Sequence, residues 1–261
     1  HMKRTTIILV SLMLVMGGLA QQPNHLGDGA LLDGKTLIKA SVSSLLLRTG
    51  AFSAERIISK NVSIGVSTSF MPAGALPHAN TILDIAGTDA ETREMITGVQ
   101  LNTFSLSPEV RIYLGRGYGQ GFYLSPYYRY ERYGLENLSL EFTFQGFTDA
   151  IPFEGDFRTH SAGLMLGYQW LLGKNKNIVI DWSIVGAHYG ASSGSLDGRY
   201  DGDFQLTDEQ RQQAQESLNQ SLSNLPFIEA EGTIHSDNSA RVSITGPWFF
   251  PRGSLSVGFR F

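Results

Sequence analysis

The sequence predicts an all-β fold, a transmembrane antiparallel β-barrel of eight strands with one short helix in a long loop. Three observations point there. Apolar residues recur at every second position through most of the chain, which is the period of a strand. The residues between them are largely Gly and Ser, small enough for a narrow interior, where a water-facing sheet would carry Lys and Glu. The first twenty residues read as an export signal, and past them no apolar run approaches the roughly 20 residues of a membrane helix.

The export signal has three parts. Lys3 and Arg4 form a basic start, "TTIILVSLMLVM" (5–16) is a short apolar run, and "GGLA" (17–20) offers small residues for cleavage near Ala20. His1 precedes Met2 and reads as a cloning remnant. Residues 1–20 are thus expected to be removed after Sec-type export, and 21–35, including "GDGALLDG" (27–34), to form a short periplasmic lead. The chain has no Cys, which excludes a lipoprotein anchor, disulfides and thiolate metal sites. Without Lys3 and Arg4 it carries 18 basic and 24 acidic residues, a net charge of -6. That balance argues against nucleic-acid binding.

The strands follow in order at 36–48, 52–58, 62–70, 97–114, 121–142, 157–172, 177–188 and 251–261. In "VSIGVSTSF", Val62, Ile64, Val66, Thr68 and Phe70 share one face and Ser63, Gly65, Ser67 and Ser69 the other. In "SAGLMLGYQWLL", Ala162, Leu164, Leu166, Tyr168, Trp170 and Leu172 oppose Gly163, Met165, Gly167 and Gln169. In "NIVIDWSIVG", Ile178, Ile180, Trp182 and Ile184 oppose Val179, Asp181, Ser183 and Val185. A soluble sandwich would turn the apolar faces inward, whereas a membrane barrel turns them to lipid. Export, the Gly/Ser faces and aromatics near stripe ends (Tyr168, Trp170, Trp182, Phe261) favour the barrel.

Eight strands put the short turns 59–61, 115–120 and 173–176 on the periplasmic side. The long segments 71–96, 143–156 and 189–250 then fall outside. The barrel spans 36–261, with 71–96 and 189–250 as its principal extracellular loops. Strand 52–58 is short for a membrane and 121–142 is long. Reading 134–137 as a turn and "ARVSIT" (240–245) as a strand gives ten strands instead. "LTDEQRQQAQESLNQSLSNL" (206–225) predicts a helix. Thr207 with Gln210 fits a capping box, and Ala214, Leu218, Leu222 and Leu225 form a stripe that would fold onto the rim or dock a partner.

"LSPEVRIYLG" (106–115), "GFYLSPYYRYERY" (121–133), "GLMLGYQWLLGK" (163–174), "GAHYGASSGSLDG" (186–198) and "GPWFFPRGSLSVGFRF" (246–261), with "SFMPAGALP" (69–77), resemble a family of small Gram-negative outer-membrane β-barrels of unknown function. The resemblance implies a barrel and an outer-membrane location, and brings no activity. The final strand alternates Leu255, Val257, Phe259 and Phe261 with Ser256, Gly258 and Arg260. In a barrel it must pair with the first strand, because lipid tolerates no open sheet edge. It also resembles the C-terminal signal read by the outer-membrane barrel-assembly machinery, which is thereby an expected partner beside outer-membrane lipids.

Inward parity places Lys39, Glu55, Glu109, Arg111, Arg129, Glu131, Asp181 and Arg260 in the lumen. Four cations and four anions suggest a paired network that plugs an eight-stranded barrel, whose interior holds little beyond side chains. A narrow conduction path past Arg111, Arg129 and Glu131 is the alternative. No catalytic, cofactor or metal residues are predicted. "GASSG" (190–194) matches G-x-S-x-G two residues after His188, but it lacks the strand–turn–helix elbow that motif needs. A lipid-modifying enzyme would require Ser192 or Ser161 within reach of a His. His160 beside Ser161 is a similarly weak pair, and "GRGYGQG" (115–121) reads as a turn. The expected role is a non-catalytic scaffold presenting its long loops to a protein partner or ligand.

Overall fold

A computed structural model describes residues 34–75, 77–79, 98–115, 117–144, 147–199, 207–223, 229–235 and 239–261. The predicted signal (1–20), nearly all of the lead and most of the 71–96 loop lie outside the described residues.

Eight strands close into a ring. They are β1 (Thr36–Ser41), β2 (Gly50–Ile57), β3 (Val62–Met71), β4 (Gln100–Tyr113), β5 (Gly121–Phe144), β6 (Phe147–Leu172), β7 (Ile178–Arg199) and β9 (Ser239–Arg260). Each is antiparallel to the next, β7 pairs β9, and β9 returns to β1 from Leu37↔Arg260 to Ser41↔Ser256. A ninth strand, β8 (Glu229–Ile234), pairs with the far part of β9. The helix α1 (Asp208–Ser223) precedes it. Reciprocal bonds between Thr207 and Gln210 form the predicted capping box (2.9 and 3.4 Å).

Register fixes the ring's geometry. Phe259 lies opposite Ile38, and the row continues through Ala54, Val66, Pro108, Tyr128, Ala162 and Tyr189 to Phe249. The row thus climbs from position 259 to 249 of β9, a shear of ten. For eight strands that corresponds to a tilt of about 40° and an interior just wide enough for side chains. A bulge in β7 sets Ser183 and Gly186 opposite Ser254 and Arg252. It reverses the parity beyond it, so Val185, expected inside, is exposed on the outer face.

The outer face carries a belt of exposed apolar residues, including Ile38, Ile64, Phe104, Val110, Phe122, Leu164, Trp182 and Leu255. Along β4 it runs from Phe104 to Ile112, with Leu114 just past the strand's end, about the 9–11 residues of a membrane strand. Phe122, Tyr168 and Trp170 cluster on the outer face near the short turns, at ring separations of 4.7 and 4.5 Å.

The wall is uneven. β1 has 6 residues and β2 8, whereas β5 has 24 and β6 26. This corrects the expected loops. Residues 143–144 and 147–156 belong to the paired strands β5 and β6, residues 189–199 and 239–250 belong to β7 and β9, and 240–245 is part of β9. The first strand ends at Ser41 and gives way to a 3₁₀ turn, Ser43–Leu47.

The tall wall inverts the belt's pattern. Its outer face holds ion pairs such as Arg132–Asp156 (2.9 Å) and Arg241–Asp197 (2.6 Å). Its inner face is an apolar core of Ile151, Phe153, Phe157, Leu196, Val242, Ile244 and Trp248, covered by Ala214, Leu218 and Leu222 of α1. The helix stripe therefore serves this crown. Leu218 lies against Gly232 of β8, and Asn219 Oδ1 accepts the Gly232 N–H at 2.7 Å. Leu218→Ala should cost the crown about 2–5 kcal/mol. Trypsin should then cleave after Arg211 much faster than in the parent, while the heat-dependent gel shift of the folded barrel stays unchanged.

Candidate functional site

The lumen divides into a floor, a cavity and a roof. The floor is built around Lys39. The β1 pleat points it inward, opposite Gly258 of β9, where any Cβ would press on Lys39 itself. Its ammonium donates to Glu55 Oε2 (2.7 Å), Gln169 Oε1 (2.8 Å) and Asp181 Oδ2 (2.7 Å). Three donors thus meet three acceptors. Arg111 donates to Asp181 (2.6 Å) and Glu109 (2.8 Å), and its guanidinium lies 4.3 Å from the centre of the Tyr123 ring. Tyr113 and Ser63 donate to Glu55 Oε1 at 2.5 and 2.6 Å, and Tyr123 donates to Asp181 Oδ1 at 2.8 Å. Lys39 is 1 % exposed and Asp181 3 %, so the charges of the cluster are buried against one another.

Above the floor lies a cavity of about 530 Å³. Arg129 pairs with Glu131 at 2.8 Å, and Tyr133 donates to Glu131 at 2.9 Å. His188 Nδ1 shares a hydrogen bond with the Tyr127 hydroxyl at 3.1 Å, while its Nε2 stands 3.7 Å from Glu131. Arg252 donates to Ser67 at 3.2 Å and sits over the Tyr127 ring at 5.2 Å. Among the described residues no carboxylate lies within ion-pair distance of it. Tyr133 stacks on Phe157 and Trp248 meets both rings at an angle to form the roof, with ring separations of 4.8 to 5.7 Å.

Of the charged residues expected inside, Lys39, Glu55, Glu109, Arg111 and Asp181 come together in the floor and Arg129 with Glu131 in the cavity. Arg260 stands at the turn-end rim, where its guanidinium donates to the Gly34 carbonyl. Leu255, Val257, Phe259 and Phe261 sit on the outward side of the chain's last stretch, with β9 paired to both β1 and β7.

Sequence reasoning missed Arg252, Tyr113 and Tyr123, and considered His188 only as a serine's partner. Arg252 shares the even, inward parity of Arg260 and was legible by that rule. The tyrosines continue the parity of Arg111 and Ser125, but aromatics in a barrel suggest lipid girdles first. His188 turns inward because of the β7 bulge, which no local signal announces.

The serine–histidine pairings do not form among the described residues. The "GASSG" stretch is regular strand within β7, and Ser192 donates to the Gly246 carbonyl at 3.3 Å. Ser161 faces inward and donates to the Arg129 carbonyl (3.4 Å), whereas His160 faces outward and bonds Tyr128 (2.5 Å).

Lys39→Met would leave Glu55 and Asp181 short of a cation in a closed site. Loss of one partner of such a buried pair costs about 3–5 kcal/mol. Urea unfolding of the refolded barrel, followed by tryptophan fluorescence, should show that loss. Adding Glu55→Gln should recover part of it, because the uncompensated carboxylate is then gone.

The chain belongs to the protein family DUF3575, described as of unknown function, whose match covers residues 6–191. No curated protein matches it. Among solved structures it is similar to the N-terminal β-barrel domain of Pseudomonas aeruginosa OprF, at 11 % identity and a TM-score of 0.26, over 87 % of this chain and 98 % of that one.

Proposed function

We infer that this chain is an integral barrel of a Gram-negative outer membrane that conducts no solute and works as a non-catalytic scaffold. Its apolar belt would meet outer-membrane lipids, and its helix-covered crown and long loops would face outward to a protein partner or ligand. The export signal at 1–20 and the alternating Leu255, Val257, Phe259 and Phe261, as the stretch offered to the barrel-assembly machinery, accord with that route.

The observation that carries the reading is the floor. Five ionised side chains, Gln169 and two tyrosine hydroxyls satisfy one another across the whole cross-section. Opening a water path would strand several buried charges at once, each at a cost of kcal/mol order. Such a floor supports a scaffold over a channel. The crown supports an outward role, since a soluble-type core on a membrane barrel displays a rigid surface.

The test is single-channel recording of the refolded mature chain in a planar bilayer, beside Arg129→Ala. Both should be silent. Steady, ion-selective openings that change with Arg129→Ala would replace the scaffold with a channel.

A further inference from the structure

The ring is incompletely closed in height. β1 and β9 pair only from Leu37↔Arg260 to Ser41↔Ser256. At a strand rise of about 3.3 Å and a tilt of about 40°, these pairs climb roughly 10 Å. The apolar band of an outer-membrane barrel is about 25 Å tall. β8 takes up the same edge of β9 only over residues 240–245. Between them, among the described residues, no strand pairs with that edge.

The edge is built for this. Backbone groups of β9 alternate between its two neighbours. The Phe261 N–H donates to Thr36 of β1, and the Leu255 carbonyl accepts from Val42 (2.8 Å), so odd positions face β1. Pro247 and Pro251 therefore stand on the open side, where each removes a donor that would otherwise be unpaired. Opposite them the 3₁₀ turn closes on itself through the Leu45 and Arg48 N–H groups (3.3 and 3.1 Å), which leaves Leu45, Leu46 and Leu47 exposed. A helical turn is a form the backbone can take in lipid, because its polar groups are satisfied internally.

This gap leads into the lumen. The same cavity touches Leu47 and Phe250 at the seam and Phe52 of the outer face, and it reaches Arg252, Arg129 and His188 inside. Leu47, Phe52 and Phe250 are each more than half exposed. The inner end carries Arg111, Arg129, Arg252 and His188 beside Glu109, Glu131 and Asp181, and the three carboxylates already pair with Arg111 or Arg129. Arg252 has no described carboxylate partner, and Arg129 Nε and His188 Nε2 are buried without a hydrogen-bond partner among the described residues. One end of the cavity suits an acyl chain and the other an anion.

We propose that the gap between the 3₁₀ turn and residues 250–254 of β9 is a lateral portal. Its ligand is a single-chain amphiphile with an anionic head, taken from the surrounding leaflet. The head's oxygens accept from Arg252 and Arg129, with His188 Nε2 within the same cavity, and the chain leaves between Leu47 and Phe250 toward the belt. The proposal rests on the membrane-spanning reading, and it leaves the floor shut.

The test uses the refolded mature chain in dioleoylphosphatidylcholine vesicles, probed with a diazirine-bearing hexadecanoic acid and mapped by mass spectrometry. Flotation with the vesicles reads membrane insertion separately. Saturable labelling should concentrate in residues 43–53 and 248–256. Hexadecanoate should compete, while its methyl ester and acetate should not. Arg252→Gln should weaken the saturable labelling about tenfold, the scale of one charge-assisted contact. Ser254→Trp, which fills the mouth, should weaken it as well, and competition on the unaltered chain decides the matter even if a variant fails to fold. Labels spread evenly round the belt, or equal competition by the methyl ester, would overturn the portal while leaving the barrel intact. Competition by acetate would mean a free anion entering from water, and would overturn it too. A chain that does not float would end both readings.

Discussion

The Lys39 ammonium is the contact on which the rest of the barrel turns. Its three acceptors come from β2, the strand beside its own, and from the paired strands β6 and β7 farther round the ring. Arg111 adds β4 and Tyr123 adds β5 through the same Asp181. β9 contributes an absence: Gly258 leaves the volume that the Lys39 side chain crosses. A ring of tilted strands has no core to fix its register other than its lumen. Here fixed ionic geometry takes that role, since a one-residue slip of any of these strands would turn its charge to the apolar face.

Small inward residues follow from the same constraint. Gly167 lies beneath Tyr123 and Gly163 beside Tyr127, each where a Cβ would strike the ring. An eight-stranded interior holds a limited volume. Long charged and aromatic side chains on some strands therefore require near-empty positions on those opposite. The Gly and Ser spacing in the sequence is the imprint of partners on other strands.

That explains what could be read in advance. Period-2 patterning, the turns at 59–61, 115–120 and 173–176, the ring of eight and most of the inward charges follow from local rules. The tall wall did not, because its pattern is that of a soluble sheet. Phe153 and Phe157 face inward and Arg132 and Arg158 outward, reversing the belt with no break in the strand. A chain read for one solvent ends its strands where the solvent changes. The two candidate folds, sandwich and barrel, describe the two heights of one wall. The β7 bulge was invisible for a different reason. It depends on pairing with β6 and β9, and no residue near Ile184 encodes it by type.

The uneven wall also links the two ends of the molecule. A wall tall on one side and short on the other must leave β9 without a full-length partner, since its neighbour β1 stops after 6 residues. The chain meets that need in two ways: β8 covers the part of β9 that lies in the crown, and prolines blunt the part beneath it. The apolar roof of Tyr133, Phe157 and Trp248 and the ionic floor then bound a space whose free side is the one the short hairpin leaves. The crown, the short hairpin and the cavity are thus one arrangement. Lengthening β1 to full height would seal the seam, leave the prolines of β9 facing a strand they cannot donate to, and bury Arg252 with no described counter-ion.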